Sequence, residues 1–78
     1  MKQKQTSLLE RKAAVIANWQ PGDDSETARI LTTKMRLPTV RNSIHVWRRG
    51  GYSKLEAYYV EAMERAQAER AKRETATT

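Results

Sequence analysis

The sequence contains no cysteine. That excludes a disulfide framework or a thiolate metal site as a source of stability, and it suits a cytoplasmic protein. There is one histidine, no Gly-rich loop ahead of a helix and no cluster at metal-ligand spacing. No catalytic constellation, metal or cofactor is therefore implied. No apolar run approaches the about 20 residues that cross a bilayer. The opening MKQKQTSLLE also lacks the apolar stretch of a signal peptide. One more absence is local: from Arg29 to Lys54 the chain has no acid at all. These gaps lead us to expect a soluble, cytoplasmic, non-enzymatic protein with no membrane or small-molecule partner.

What is present is positive charge, unevenly placed. The 78 residues carry a formal net charge of +6. Residues 23–54 hold seven basic side chains against three acids, whereas residues 55–78 hold four against five. Proteins that use charge only for solubility usually mix the signs, as the last third does here. An acid-free basic segment suits a polyanion such as nucleic acid; the plain alternative is a solvated basic face. A chain of this length is one domain at most, and so small a domain is marginal unless tightly packed or oligomeric.

Four helices are legible, which makes the expected fold all-α: a small bundle with an extended last helix. Residues 1–5 and 75–78 are expected to be disordered or frayed. Ser7 and Glu10 have capping-box spacing and should open a helix from Leu8 to about Asn18, with Leu8, Leu9, Val15, Ile16 and Trp19 as its apolar stripe. Lys12 falls inside that stripe and would have to snorkel to water. Gln20-Pro21-Gly22 reads as a turn. Asp23, Asp24 and Glu26 then read as caps of a second helix and not as a catalytic pair. Its Ala28, Leu31 and Met35 should pack inward, with Ile30 and Leu37 off that face, and it should fade near Met35 or Arg36 before Pro38.

The third helix spans Pro38 to Arg49. Thr39 can cap it, and Gly50-Gly51 can end it. Val40, Ile44 and Trp47 share one face, so a core role for Trp47 outweighs stacking on unpaired bases. Ser53 and Glu56 repeat the capping-box spacing ahead of the last helix, whose Leu55, Tyr58, Tyr59, Ala62, Met63 and Ala66 form an apolar face. Tyr52 is also expected inside. Val60 lies off the face and could mark a dimer contact. Beyond Ala66 the face turns to Glu69, Arg70 and Arg73, so the continuation should be a solvated tail or meet another chain. The expected core is Leu31, Val40, Ile44, Trp47, Leu55 and Tyr59.

An apolar back with a basic front is what a helix in a DNA major groove needs. Arg41 and Asn42, in the first turn, are the leading candidates for base contacts, by paired hydrogen bonds to guanine and adenine. Thr39, Ser43 and His45 are secondary, and His45 serves equally well as an ordinary surface histidine. Arg48 and Arg49, near the helix end, suit phosphates, as do Lys34, Arg36 and Lys54.

The run TVRNSIHVWRRGGYSK resembles the recognition helix and following turn of small phage and bacterial helix-turn-helix regulators of the Cro type. The carrying residues are Ile44, His45, Val46, Trp47, Arg48, Arg49 and Gly50. The longer run IHVWRRGGYSKLEAYYVEAMERAQAERA resembles the N-terminal DNA-binding region of phage small terminase subunits. The turn departs from the usual pattern, having Leu37-Pro38 and no glycine. The resemblance implies double-stranded DNA as partner, a transcription-regulating repressor or activator, and a homodimer or cooperative oligomer. DNA recognition for packaging or recombination is the nearer alternative. The more distant one is a helical interaction module for RNA or an acidic protein.

Overall fold

The computed structural model describes residues 7–51 and 53–76. Helix α1 runs Leu8–Ala17, α2 Asp23–Thr33, α3 Arg41–Arg48 and α4 Glu56–Ala76. Among these residues there is no strand, and no helix is long and apolar enough to cross a membrane. The fold is all-α, as the pattern predicts. Tyr52, residues 1–5 and Thr77–Thr78 lie outside the described residues; Thr75 and Ala76, expected to fray, continue α4.

Helix α4 is the spine. Helices α1 and α2 both pack on it, and α3 packs on α2. The core draws Val15 from α1, Ala28, Ile30 and Leu31 from α2, Ile44 and Trp47 from α3, and Tyr59, Val60, Ala62, Met63 and Ala66 from α4. Leu55, Leu37 and Met35 pack half-buried at its edge. Leu31, Ile44, Trp47 and Tyr59 thus sit where the helical spacing puts them. Trp47 meets Tyr59 edge to face, ring centres 5.4 Å apart, a favoured aromatic arrangement.

Val40 and Val60 exchange their expected places. Val40 is 66% exposed and Val60 is 0% exposed. Val40 is the N-cap of α3, with extended backbone, so it lies outside the helix whose face it was assigned to. Val60 is buried because α4 is covered from two sides. It lies one turn from Glu64 and two from Gln67, and both of these bond to α1. The buried arc is therefore wider than one stripe, and it is rotated away from Tyr58, which is half exposed. Leu9 likewise falls outside the α1 seam and is exposed.

The α1–α4 seam is largely polar. Val15 is the one α1 residue in the buried core. Around it, Arg11 forms a two-pronged pair with Glu64 at 2.6 and 3.0 Å. Gln67 Nε2 donates to the Val15 carbonyl at 2.8 Å, and Asn18 Nδ2 donates to Gln67 Oε1 at 3.3 Å. Arg70 donates to the Asn18 carbonyl at 3.2 Å. As far as Arg70 the helix beyond Ala66 is thus no solvated tail but packs on this core, because Gln67 and Arg70 carry the groups that α1 and α2 need.

The caps divide. Ser7 and Glu10 form the expected box, each side chain accepting the other's backbone N–H at 3.1 Å. Asp23 and Asp24 do not cap α2, whose N-cap is Gly22 with no side-chain bond. Asp23 is instead buried, accepting from Gln20 N–H at 3.0 Å and from Arg70 at 2.7 Å. Glu56 does not complete a box with Ser53 either. Its carboxylate accepts from Trp47 Nε1 at 3.0 Å and from Lys12 at 3.2 Å. The hydrogen bond from Trp47, then Lys12, holds the Glu56 carboxyl below the usual glutamate range. Lys12 therefore does not snorkel out; its ammonium stays inside, 4.9 Å from the Trp47 ring centre.

Candidate nucleic-acid interface

Helix α3 is presented by the turn before it. Helix α2 stops at Thr33, short of Met35 and Arg36. Arg36 then takes a left-handed backbone, φ 58°, and Leu37 N–H reaches back to the Leu31 carbonyl at 2.7 Å. This is the conformation that glycine supplies in many turns; here an arginine holds it. The Thr39 hydroxyl donates to the Leu37 carbonyl at 2.6 Å and so does not cap α3. Thr39 N–H donates to Thr32 Oγ1 at 3.0 Å, pinning the start of α3 to α2. Gly50 closes the far end at φ 107°, where a side chain would be strained.

A clasp fixes the rotation of α3. Arg48 Nε and Nη2 donate to the two carboxylate oxygens of Asp24, each at 3.1 Å. The guanidinium lies 4.0 Å from the Trp19 ring centre, and Trp19 Nε1 donates to Asp24 Oδ1 at 3.0 Å. One buried carboxylate thus joins the end of α1, the start of α2 and the last turn of α3. Arg48, expected on a phosphate, is held within the protein, and its role is to position α3. Nothing in local spacing could show this, since the pair is 24 residues apart. His45 Nδ1 sits 3.2 Å from Arg48 Nη2, and the ring is 45% exposed.

The other side chains of α3 face outward. Arg41, Asn42, Ser43, Val46 and Arg49 are exposed. Asn42, Val46 and Arg49 recur at one-turn spacing opposite Ile44 and Trp47, and this line is the crest of the helix. Val46, 53% exposed, is an apolar residue on this crest that the polar pattern does not announce. Hollows flank the crest. One of about 510 Å³ lies against the α1–α2 turn, lined by Trp19, Pro21, Asp24, Arg41 and His45 among others. The second, about 320 Å³, is lined by Ser43, Val46, Ser53 and Tyr59 among others. Asn42 borders both.

Charge is sorted in the same place. Each of the nine acids has a hydrogen bond or ion pair within the scaffold: Glu10 with Ser7, Asp23 and Glu74 with Arg70, Asp24 with Arg48, Glu26 and Glu69 with Arg29, Glu56 with Lys12, Glu61 with Arg65, and Glu64 with Arg11. Lys34, Arg36, Arg41, Arg49 and Lys54 are exposed and have no ion pair among the described residues. All five belong to the turn before α3, to α3 and its C-cap, or to the loop after it; a sixth exposed cation without an ion pair among the described residues, Lys72, lies apart from them on α4. Among the described residues no group of His, Asp and Glu side chains could hold a metal ion. No protein-family model, curated protein or solved structure matches the chain.

Proposed function

We propose that the protein binds double-stranded DNA sequence-specifically, with α3 in the major groove, as a small cytoplasmic transcriptional regulator of phage or plasmid type. The observation that carries this reading is the sorting of charge. The acids are used inside the scaffold, while five unpaired cations bracket one short helix whose polar crest is exposed. Arg41 and Asn42 are the first candidates for base edges, followed by Ser43 and His45. Lys34 and Arg36, before the helix, and Arg49 and Lys54, after it, are the candidates for phosphates. An eight-residue helix covers a few base pairs, so useful affinity calls for a homodimer on two half-sites or cooperative binding. The mechanism is occlusion or bending of a site, and it needs no cofactor.

The test is selection from random duplex DNA at about 150 mM salt, where weak phosphate-only binding is largely screened. Enrichment of a motif supports the reading, and a palindrome in it gives the half-site spacing of a dimer. Four phosphate contacts predict a slope of about −3.6 in log K against log salt. A folded protein that enriches nothing would point to the interaction-module alternative, with RNA or an acidic protein as partner.

A further inference from the structure

One apolar group stands on the polar crest of α3. Val46 is 53% exposed, between Asn42 one turn before it and Arg49 one turn after. A lone exposed valine is ordinary, but this one is held. Gly51 N–H donates to the Val46 carbonyl at 3.0 Å, which folds the chain back against the side chain. A Cβ at Gly51 would lie 2.8 Å from the Val46 carbonyl oxygen and 3.1 Å from Val46 Cγ1. The bare glycine is thus the space into which Val46 fits. A β-branched side chain has few χ1 states in a helix, and one Val46 methyl lies beside the bare Gly51. The result is a fixed pair of methyls beside the hollow that Asn42 also borders.

A rigid apolar group amid unpaired cations does not suit an apolar partner, because docking one would bury those charges. It suits a polyanion that offers one apolar spot among polar edges. In the major groove that spot is the 5-methyl group of thymine. We propose that Val46 packs on a thymine methyl and that Asn42 pairs with an adenine close by. The Asn42 amide would donate to adenine N7 and its carbonyl oxygen would accept from N6. Helix neighbours one turn apart are about 5–6 Å apart at Cβ, and base pairs rise about 3.4 Å, so the two bases lie one or two pairs apart. The preferred half-site therefore contains A·T pairs under the middle of α3. This inference rests on the placement of α3 in the major groove.

The experiment uses the full chain and duplexes enriched by selection. Each thymidine is replaced in turn by deoxyuridine, which removes the methyl and keeps every hydrogen bond. Wild-type protein should bind about fourfold more weakly at one or two positions, the value of one buried methyl-sized group. Val46→Ala, at an exposed helical site, should fold normally and bind the thymidine and deoxyuridine duplexes alike. Asn42→Ala should lose discrimination at an A·T pair beside the methyl-sensitive position. Indifference of the wild type to every replacement, with the motif intact, overturns the valine inference and leaves DNA binding standing. Equal sensitivity in Val46→Ala overturns it too, because another group then reads the methyl. No binding to any selected duplex removes both.

Discussion

Asp24→Ala tests the clasp that orients α3. The substitution removes the acceptor for Trp19 Nε1 and for two donors of Arg48. Arg48 is left with 17% of its side chain exposed and no carboxylate. Removing one member of a fully buried pair costs about 3–5 kcal/mol. Here the pair borders an open hollow, so water can solvate part of what is uncovered, and we expect about 2 kcal/mol, within the range for orphaned donors. A domain of this size has about 4–12 kcal/mol in all, so the variant should remain folded. With a urea slope of about 1 kcal/mol/M, the midpoint should fall by about 2 M. Arg48→Met should cost about the same, because it leaves the buried Asp24 with one hydrogen-bond donor, Trp19, and His45 Nδ1 at 3.9 Å. The double variant Asp24→Ala/Arg48→Met should cost clearly less than the sum, with a coupling of about 1–2 kcal/mol. Urea melts of the four proteins, followed by tryptophan fluorescence and circular dichroism, give the cycle. Additivity within about 0.5 kcal/mol would falsify the clasp as an energetic unit.

Three further predictions concern packing, backbone and pH. Val60→Ala should cost about 2 kcal/mol, as expected for a buried aliphatic truncation, whereas Val40→Ala should stay within about 0.5 kcal/mol of wild type; similar urea midpoints for the two variants would mean that α4 is rotated. Arg36→Gly relieves a left-handed non-glycine residue, worth roughly 1–2 kcal/mol, against about 0.5–1 kcal/mol for added chain freedom. Stability should hold or rise slightly while DNA affinity falls on all sequences, with a salt slope shallower by about 0.9. An unchanged slope would take Arg36 off the phosphates. For Glu56 the folded pKa is depressed, by Trp47 first and Lys12 second. Its contribution is therefore present above the unfolded value of about 4.3 and is lost as pH falls through the lower folded value. Paired thermal melts should show wild type and Glu56→Gln converging between about pH 5 and pH 3; a constant gap contradicts that assignment.

The sequence reveals the elements better than their rotations. The Ser7–Glu10 box and the Gly50 stop are local chemistry and stand at their expected places. Ile44 and Trp47 are equally legible, since an amphipathic eight-residue helix has only one way to bury its apolar side. Helix α4 is harder because it touches two neighbours, and periodicity reports one stripe while the fold uses a wider arc. That is why Val60 reads as outside and Tyr58 as inside. The buried acids are hidden for another reason. Asp23 and Asp24 at a helix start look like caps, and their true partners, Arg70 and Arg48, lie far along the chain. Of the proposed interface, the basic turn and the polar crest are visible as composition. Val46 is not, because its meaning depends on Gly51 folding back against it.

The polar seam between α1 and α4 acts as an address. A greasy seam between two helices tolerates sliding by a turn, since one aliphatic contact replaces another at little cost. Here a shift of one turn, about 5.4 Å, would separate Arg11 from Glu64, Asn18 from Gln67, Gln67 from the Val15 carbonyl and Arg70 from Asn18 all at once. The same α4 also holds Asp23, whose neighbour Asp24 grips α3. Register chosen at one seam is thereby handed through two adjacent acids to the exposed helix on the far side. A chain with few large apolar residues thus fixes a single arrangement by matching specific pairs, each of which is wrong in every neighbouring register.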